Sequence, residues 1–202
     1  PTEDGMDEAD DVAPEPFQLR PGLDLIPGRL TLYKFENKVA ELWKGVFSGD
    51  PQSLRTMMKI RTIAEVLSKR NGYDFAIIDT SPSLGILNKV ILSTSDFFIV
   101  PCMPDLFSLY GIRNIGDSLK DWKKDFDILR SLLPDKKLET LPKKFVTFLG
   151  FTLYNARKRS DSGNKLGLSK THNYWAKQIP ETMMKYIPET VRLKGPSLNL
   201  KE

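Results

Sequence analysis

The chain has one cysteine, Cys102, and one histidine, His172, among 202 residues. A disulfide framework, a cysteine-rich zinc site and an iron–sulfur cluster held by this chain alone are therefore excluded. A single histidine excludes a multi-histidine metal centre, and no sequence pattern around it argues for a Ser/His/Asp triad. The longest apolar runs break after seven or eight residues, far short of the ~20 that a membrane-spanning helix needs. No glycine-rich loop carries a lysine: Trp43-Lys44-Gly45 and Gly163-Asn164-Lys165 are the nearest Gly–Lys pairings. The first 15 residues hold no base at all, only seven acids.

That last absence hides a basic body. The net charge is +4, but beyond residue 15 all 30 bases face 19 acids. Such an excess suits a polyanionic partner, or simply a lysine-rich solvated surface. With 40% apolar and 28% charged residues the chain can build a core. Residues 1–21, acidic and containing Pro14, Pro16 and Pro21, read as a disordered segment or linker, and residues 22–202 as one domain.

Along that domain, Leu23–Ile26 reads as a short strand. Phe35, Val39, Leu42 and Val46 recur at helical spacing, and a second helix runs from about Ser53 to Arg70, stopped by Asn71-Gly72. Phe75–Ile78 is continuously apolar, the pattern of a strand buried on both faces. A short helix over Gly85–Leu92 and a buried strand over Asp96–Pro101 follow. Ile115, Leu119, Trp122, Phe126, Leu129 and Leu133 then form a core-facing stripe, ending before Pro134. Phe145–Tyr154 reads as a strand. A helix over Thr171–Gln178 stops before Pro180, and the rest is irregular or strand-like. Strands alternating with helices give an α/β fold, a mostly parallel sheet flanked by helices. Cys102, at a strand end, reads as an inert small hydrophobe, and His172 as a surface residue.

Asp79 follows the apolar run directly. An acid at the carboxyl end of a buried parallel strand sits where α/β sheets bind ligands and can hold magnesium opposite phosphates; it is also an ordinary turn-forming residue. Asn155, at another strand end, suits either a base edge or a turn. Arg157, Lys158, Arg159, Lys165 and Lys170 face only Asp161, which suits DNA phosphates or a solvated loop. Lys120, Lys123, Lys124, Lys136, Lys137, Lys143 and Lys144 read as solvation.

The order of these segments resembles the ParA/MinD family of deviant-Walker P-loop ATPases, in particular the ParA branch of partition ATPases. The resemblance rests on Tyr73-Asp74-Phe75-Ala76-Ile77-Ile78-Asp79-Thr80-Ser81-Pro82-Ser83-Leu84-Gly85, then Asp96–Pro101 and Pro104-Asp105-Leu106-Phe107-Ser108-Leu109-Tyr110-Gly111. Ser81 stands for the family's first turn proline, and Asp105 for its usual glutamate. Gly22–Gly28, Phe148–Asn155, Ile187–Leu193 and Pro196-Ser197 add further matches. The resemblance implies a P-loop-NTPase-like fold using ATP and Mg2+, with a homodimer formed on ATP binding. It implies binding to nonspecific DNA, hydrolysis stimulated by a ParB-like protein, and a cytoplasmic, nucleoid-associated location. By the same resemblance Asp79 is the magnesium-side catalytic carboxylate, acting through water. Ser81, Pro82 and Ser83 form a switch; Asn155, Pro188 and Arg192 surround adenine; the Arg157–Lys170 loop meets DNA.

The family's N-terminal phosphate loop has no counterpart here. The expectation is an incomplete domain lacking its first strand and phosphate loop. The alternatives are a degenerate, non-hydrolysing module that binds DNA or a protein partner, and a MinD-like positioning ATPase.

Overall fold

The computed structural model describes residues 13–156, 163–164 and 166–193. It divides into two compact units, one of residues 1–94 with 132–141, the other of residues 95–131 with 142–202.

In the first unit, β1 (Phe17–Arg20) pairs antiparallel with β2 (Leu23–Leu25), Phe17 opposite Leu25. Gly22 turns the chain at φ 77°, a left-handed conformation that costs glycine little. The structure thus places a strand inside the stretch read as disordered from its acids and prolines. Pro21-Gly22 closes a tight hairpin that gives residues 17–20 backbone partners. Residues 1–12 lie outside the described residues.

Helix α1 (Leu32–Phe47) buries Val39 and Val46. Helix α2 (Pro51–Asn71) starts with proline in its first turn, and the Asp50 carboxylate accepts from the Ser53 amide at 2.8 Å and the Ser53 hydroxyl at 2.7 Å. Those bonds hold the Asp50 carboxyl below its ordinary value. Gly72, at φ 73°, ends α2 by donating its amide to the Ser68 carbonyl. Helix α3 (Ile86–Thr94) follows.

Phe75–Ile78, expected to be a buried strand, is not one. Residues 75–80 form no strand, and Phe75 and Ile77 are 86% and 91% exposed. A strand exists only where a neighbour accepts its backbone hydrogen bonds, and among the described residues no strand lies alongside this run.

In the second unit, β3 (Phe97–Cys102) and β4 (Thr147–Leu153) pair in parallel, Phe97 opposite Thr147 and Cys102 opposite Leu153. Burial alternates along β3, with Phe97 and Ile99 half exposed, so this strand too is covered on one face rather than two. Helix α4 (Leu106–Leu132) is the crossover between these strands, burying Ile112, Gly116, Leu119, Trp122, Phe126 and Leu129. The short helix α5 (Asp135–Leu138) belongs to the first unit.

Two glycines of α4 predict opposite signs. A Cβ on Gly116 would stand 2.5 Å from the Tyr186 carbonyl oxygen, backbone that cannot yield, whereas a Cβ on Gly111 meets nothing within 4 Å. Gly116→Ala should destabilise by about 1–3 kcal/mol. Gly111→Ala should stabilise by roughly 0.5–1 kcal/mol by removing glycine from a helix interior. Urea unfolding of both variants checks the pair.

Helix α6 (Lys170–Tyr186) runs through Pro180, where the sequence predicts a stop. Proline costs a helix interior about 3 kcal/mol. Ala176, Ile179 and Met183, each 0% exposed, form a stripe through that point, and their packing outweighs the lost bond. A 3-10 turn (Glu189–Val191) leads to Arg192, which bridges to Phe148 of β4 in parallel.

Candidate functional site

The run leading to Asp79 is anchored at its start. The Tyr73 hydroxyl donates to Asp24 of β2 and accepts from the Asn71 amide at 2.8 Å, while the Tyr73 carbonyl accepts from the Ser68 hydroxyl at 2.7 Å. The Asp24 carboxylate, accepting that proton, holds the phenol above its ordinary value. Beyond this anchor the chain extends through Phe75–Ile78 to Asp79, whose side chain is exposed.

Ser81, Pro82 and Ser83, the expected switch, form an exposed loop two residues on. The Ser81 and Ser83 hydroxyls lie 3.0 Å apart. From the first turn of α3, the buried Asn88 amide nitrogen donates to the carbonyls of Ser81 at 2.7 Å and Ser83 at 2.5 Å. Sequence reasoning missed Asn88. Its one signal was a poor helix former in the first turn of a short helix.

In the second unit, Asn155 lies just past β4 at φ 50°, the one described non-glycine residue with positive φ. Asparagine tolerates that region better than most residues. Pro188 caps the 3-10 turn. The Arg192 guanidinium meets the Met184 sulfur at 3.2 Å. The Arg192 backbone bridges to Phe148 of β4.

Arg157, Lys158, Arg159 and Lys165 of the basic loop lie outside the described residues, as do Pro196 and Ser197. Lys170 is exposed at the start of α6, where it lines a shallow depression with Asn173, Tyr174, Lys177 and Gln178. His172 is half-buried rather than on the surface. Cys102 is buried, and burial pushes its thiol up to about 11. It stays protonated at neutral pH and is no nucleophile. Among the described residues no three His, Cys, Asp or Glu side chains converge as metal ligands, and no helix is long and apolar enough to cross a membrane.

A parallel strand pair joined by a helix gives the second unit an α/β architecture, and the chain as a whole is similar in fold to P-loop-NTPase-like proteins. The crystal structure of protein DIP2308 from Corynebacterium diphtheriae has this fold. It superposes with a TM-score of 0.64 at 18% identity, covering 89% of this chain and 61% of that one. A family model described as an AAA domain matches residues 15–131, more than half of the chain, and the chain belongs to this family of ParA/MinD-like ATPases. It is 32% identical over 119 residues to protein SopA of Escherichia coli K12, covering 58% of this chain and 29% of SopA. To a ParA family protein of Mycoplasma genitalium it is 25% identical, covering 72% and 58%. To a probable plasmid-partitioning protein ParA of Thermus thermophilus it is 27% identical, covering 70% and 37%. The chain thus spans less than two thirds of each of these relatives.

Proposed function

We propose that this chain carries the magnesium-side and base-side parts of a ParA-type partition ATPase, which binds nonspecific DNA as an ATP-dependent homodimer and is stimulated by a ParB-like protein. The observation that carries this reading is the exposed Asp79, set between a Tyr73 anchor and a clamped Ser81-Pro82-Ser83 loop, inside the stretch that the family model matches. A lone exposed carboxylate fits Mg2+, which binds through one or two carboxylates and substrate phosphates rather than a protein cage. Bound there, the ion would neutralise phosphate charge during phosphoryl transfer. Asp79 would orient it by accepting hydrogen bonds from its water. The 81–83 loop would place those groups relative to the phosphate. Asn155 would offer its carboxamide to the adenine edge, and Pro188 and Arg192 belong to the same base-side proposal.

Lys170 and Lys177, two turns apart on α6 and both exposed beside Tyr174, support DNA contact together with Arg157, Lys158, Arg159 and Lys165. Cations that neutralise phosphates give binding that falls steeply with salt, and an exposed ring adds a stacking surface. Cytoplasmic, nucleoid-associated localisation belongs to the same proposal.

The test is magnesium-dependent ATP turnover by the full-length gene product, with DNA binding titrated against salt. Asn155→Gly tolerates the left-handed backbone and removes the carboxamide, so it should raise KM for ATP about tenfold with the fold intact, the loss of about one hydrogen bond to the base. DNA binding without nucleotide, and no turnover, would instead define a basic binding module.

A further inference from the structure

We infer that Asn88 is the positioning residue of the Ser81–Ser83 loop: its carboxamide clamps the backbone on both sides of Pro82 and so fixes where the loop stands relative to Asp79. The inference rests on the reading of that loop as the switch.

A carboxamide nitrogen has two hydrogens, and here each has its own carbonyl, Ser81 at 2.7 Å and Ser83 at 2.5 Å. These two closest partners are carbonyl oxygens, which only accept; the Ser83 hydroxyl oxygen is a third, longer contact at 3.5 Å. The side chain must therefore present nitrogen, not oxygen, to the loop. Asn88 is 6% exposed while Ser81, Pro82 and Ser83 are exposed, so the donor lies beneath the loop and holds it from the protein side. The two carbonyls flank Pro82, whose own nitrogen cannot donate and whose φ is fixed by its ring. Two bonds and one locked dihedral leave the segment little freedom. Gly85 completes the seat: a Cβ there would stand 2.6 Å from the Glu36 carboxylate oxygen, so the chain passes close to α1 before entering α3. Asparagine is disfavoured within helices because it competes for backbone groups. At position 88 that competition is put to use.

The deciding variant is Asn88→Asp in the full-length protein, which keeps shape and volume but sets carboxylate oxygens against two carbonyls. Backbone order parameters of Ser81, Ser83 and Leu84 are expected to fall from the rigid range, about 0.85, to below about 0.6. Helix content and the order of α2 should be unchanged. The rate constant for ATP turnover should fall at least about tenfold, with KM altered less than about threefold, as expected for a group felt mainly in the transition state. Asn88→Ala serves as a second donor-less variant if the aspartate does not fold. A loop that stays rigid in the folded variant overturns the inference, as does turnover equal to wild type. Wild-type protein without turnover would sink the ATPase reading instead. The order parameters would then judge the clamp alone, a loosened loop upholding it and a rigid loop refuting it.

Discussion

Asp79→Asn is expected to lower magnesium-dependent ATP turnover by about 100- to 1,000-fold, the loss typical of removing one preorganised charge from a phosphoryl-transfer or oxyanion site. The substitution is nearly isosteric, and Asp79 is exposed, with no hydrogen bond that folding depends on. Stability should therefore move by less than about 0.5 kcal/mol. That separation gives the experiment its force: turnover collapses while the unfolding midpoint stays. Raising magnesium should partly restore turnover if the carboxylate acts through the ion. Steady-state kinetics across a magnesium series, with urea unfolding of the same sample, tests both halves. Full turnover in Asp79→Asn would remove Asp79 from the chemistry.

The second large effect is one of stability. Phe148→Ala should cost about 3–5 kcal/mol, a large share of the 5–15 kcal/mol that holds a typical domain together. Phe148 is 1% exposed, its ring lies 5.1 Å from that of Phe98, and its carbonyl accepts from the Leu193 amide. The truncation opens a cavity on the buried face of the strand pair, beside Phe98, near the point where the chain after the 3-10 turn joins β4. Phe148→Leu keeps most of the volume and should cost less than half as much. A fall in the urea midpoint at unchanged slope would locate the effect in the folded state. Equal losses for Ala and Leu would show that ring packing, not volume, matters here.

Much of the fold was legible because its signals are local. The α1 and α4 stripes, the Gly72 stop and the β3 and β4 runs stand where periodicity and punctuation put them. What was not legible depends on partners distant in sequence. Phe75–Ile78 has a strand's composition, but composition cannot supply a neighbouring edge. The β1 segment Phe17-Gln18-Leu19-Arg20 does alternate apolar and polar residues, but four residues flanked by acids and prolines are too short to announce a strand before the hairpin closes. Pro180 reads as a breaker, yet buried packing at Ile179 and Met183 carries the helix through it. Of the candidate site, Asp79 and its loop were visible as a motif. Asn88 was not, because a side chain reaching back five and seven residues to backbone carbonyls leaves no periodic trace.

The bare apolar run ahead of Asp79 also bears on how the protein behaves in solution. Among the described residues nothing pairs with the backbone of Phe75-Ala76-Ile77-Ile78, and Phe75 and Ile77 are exposed; wherever such a run is left uncovered it has the makings of an aggregation template. Asp74 and Asp79 bracket them, as charged gatekeepers bracket unavoidable sticky segments in many proteins. The carboxylate proposed to face magnesium would thus also be half of the charge that guards this stretch. Neutralising it trades solubility along with chemistry, so turnover of the Asn variant has to be compared with wild type at dilutions where both stay monodisperse.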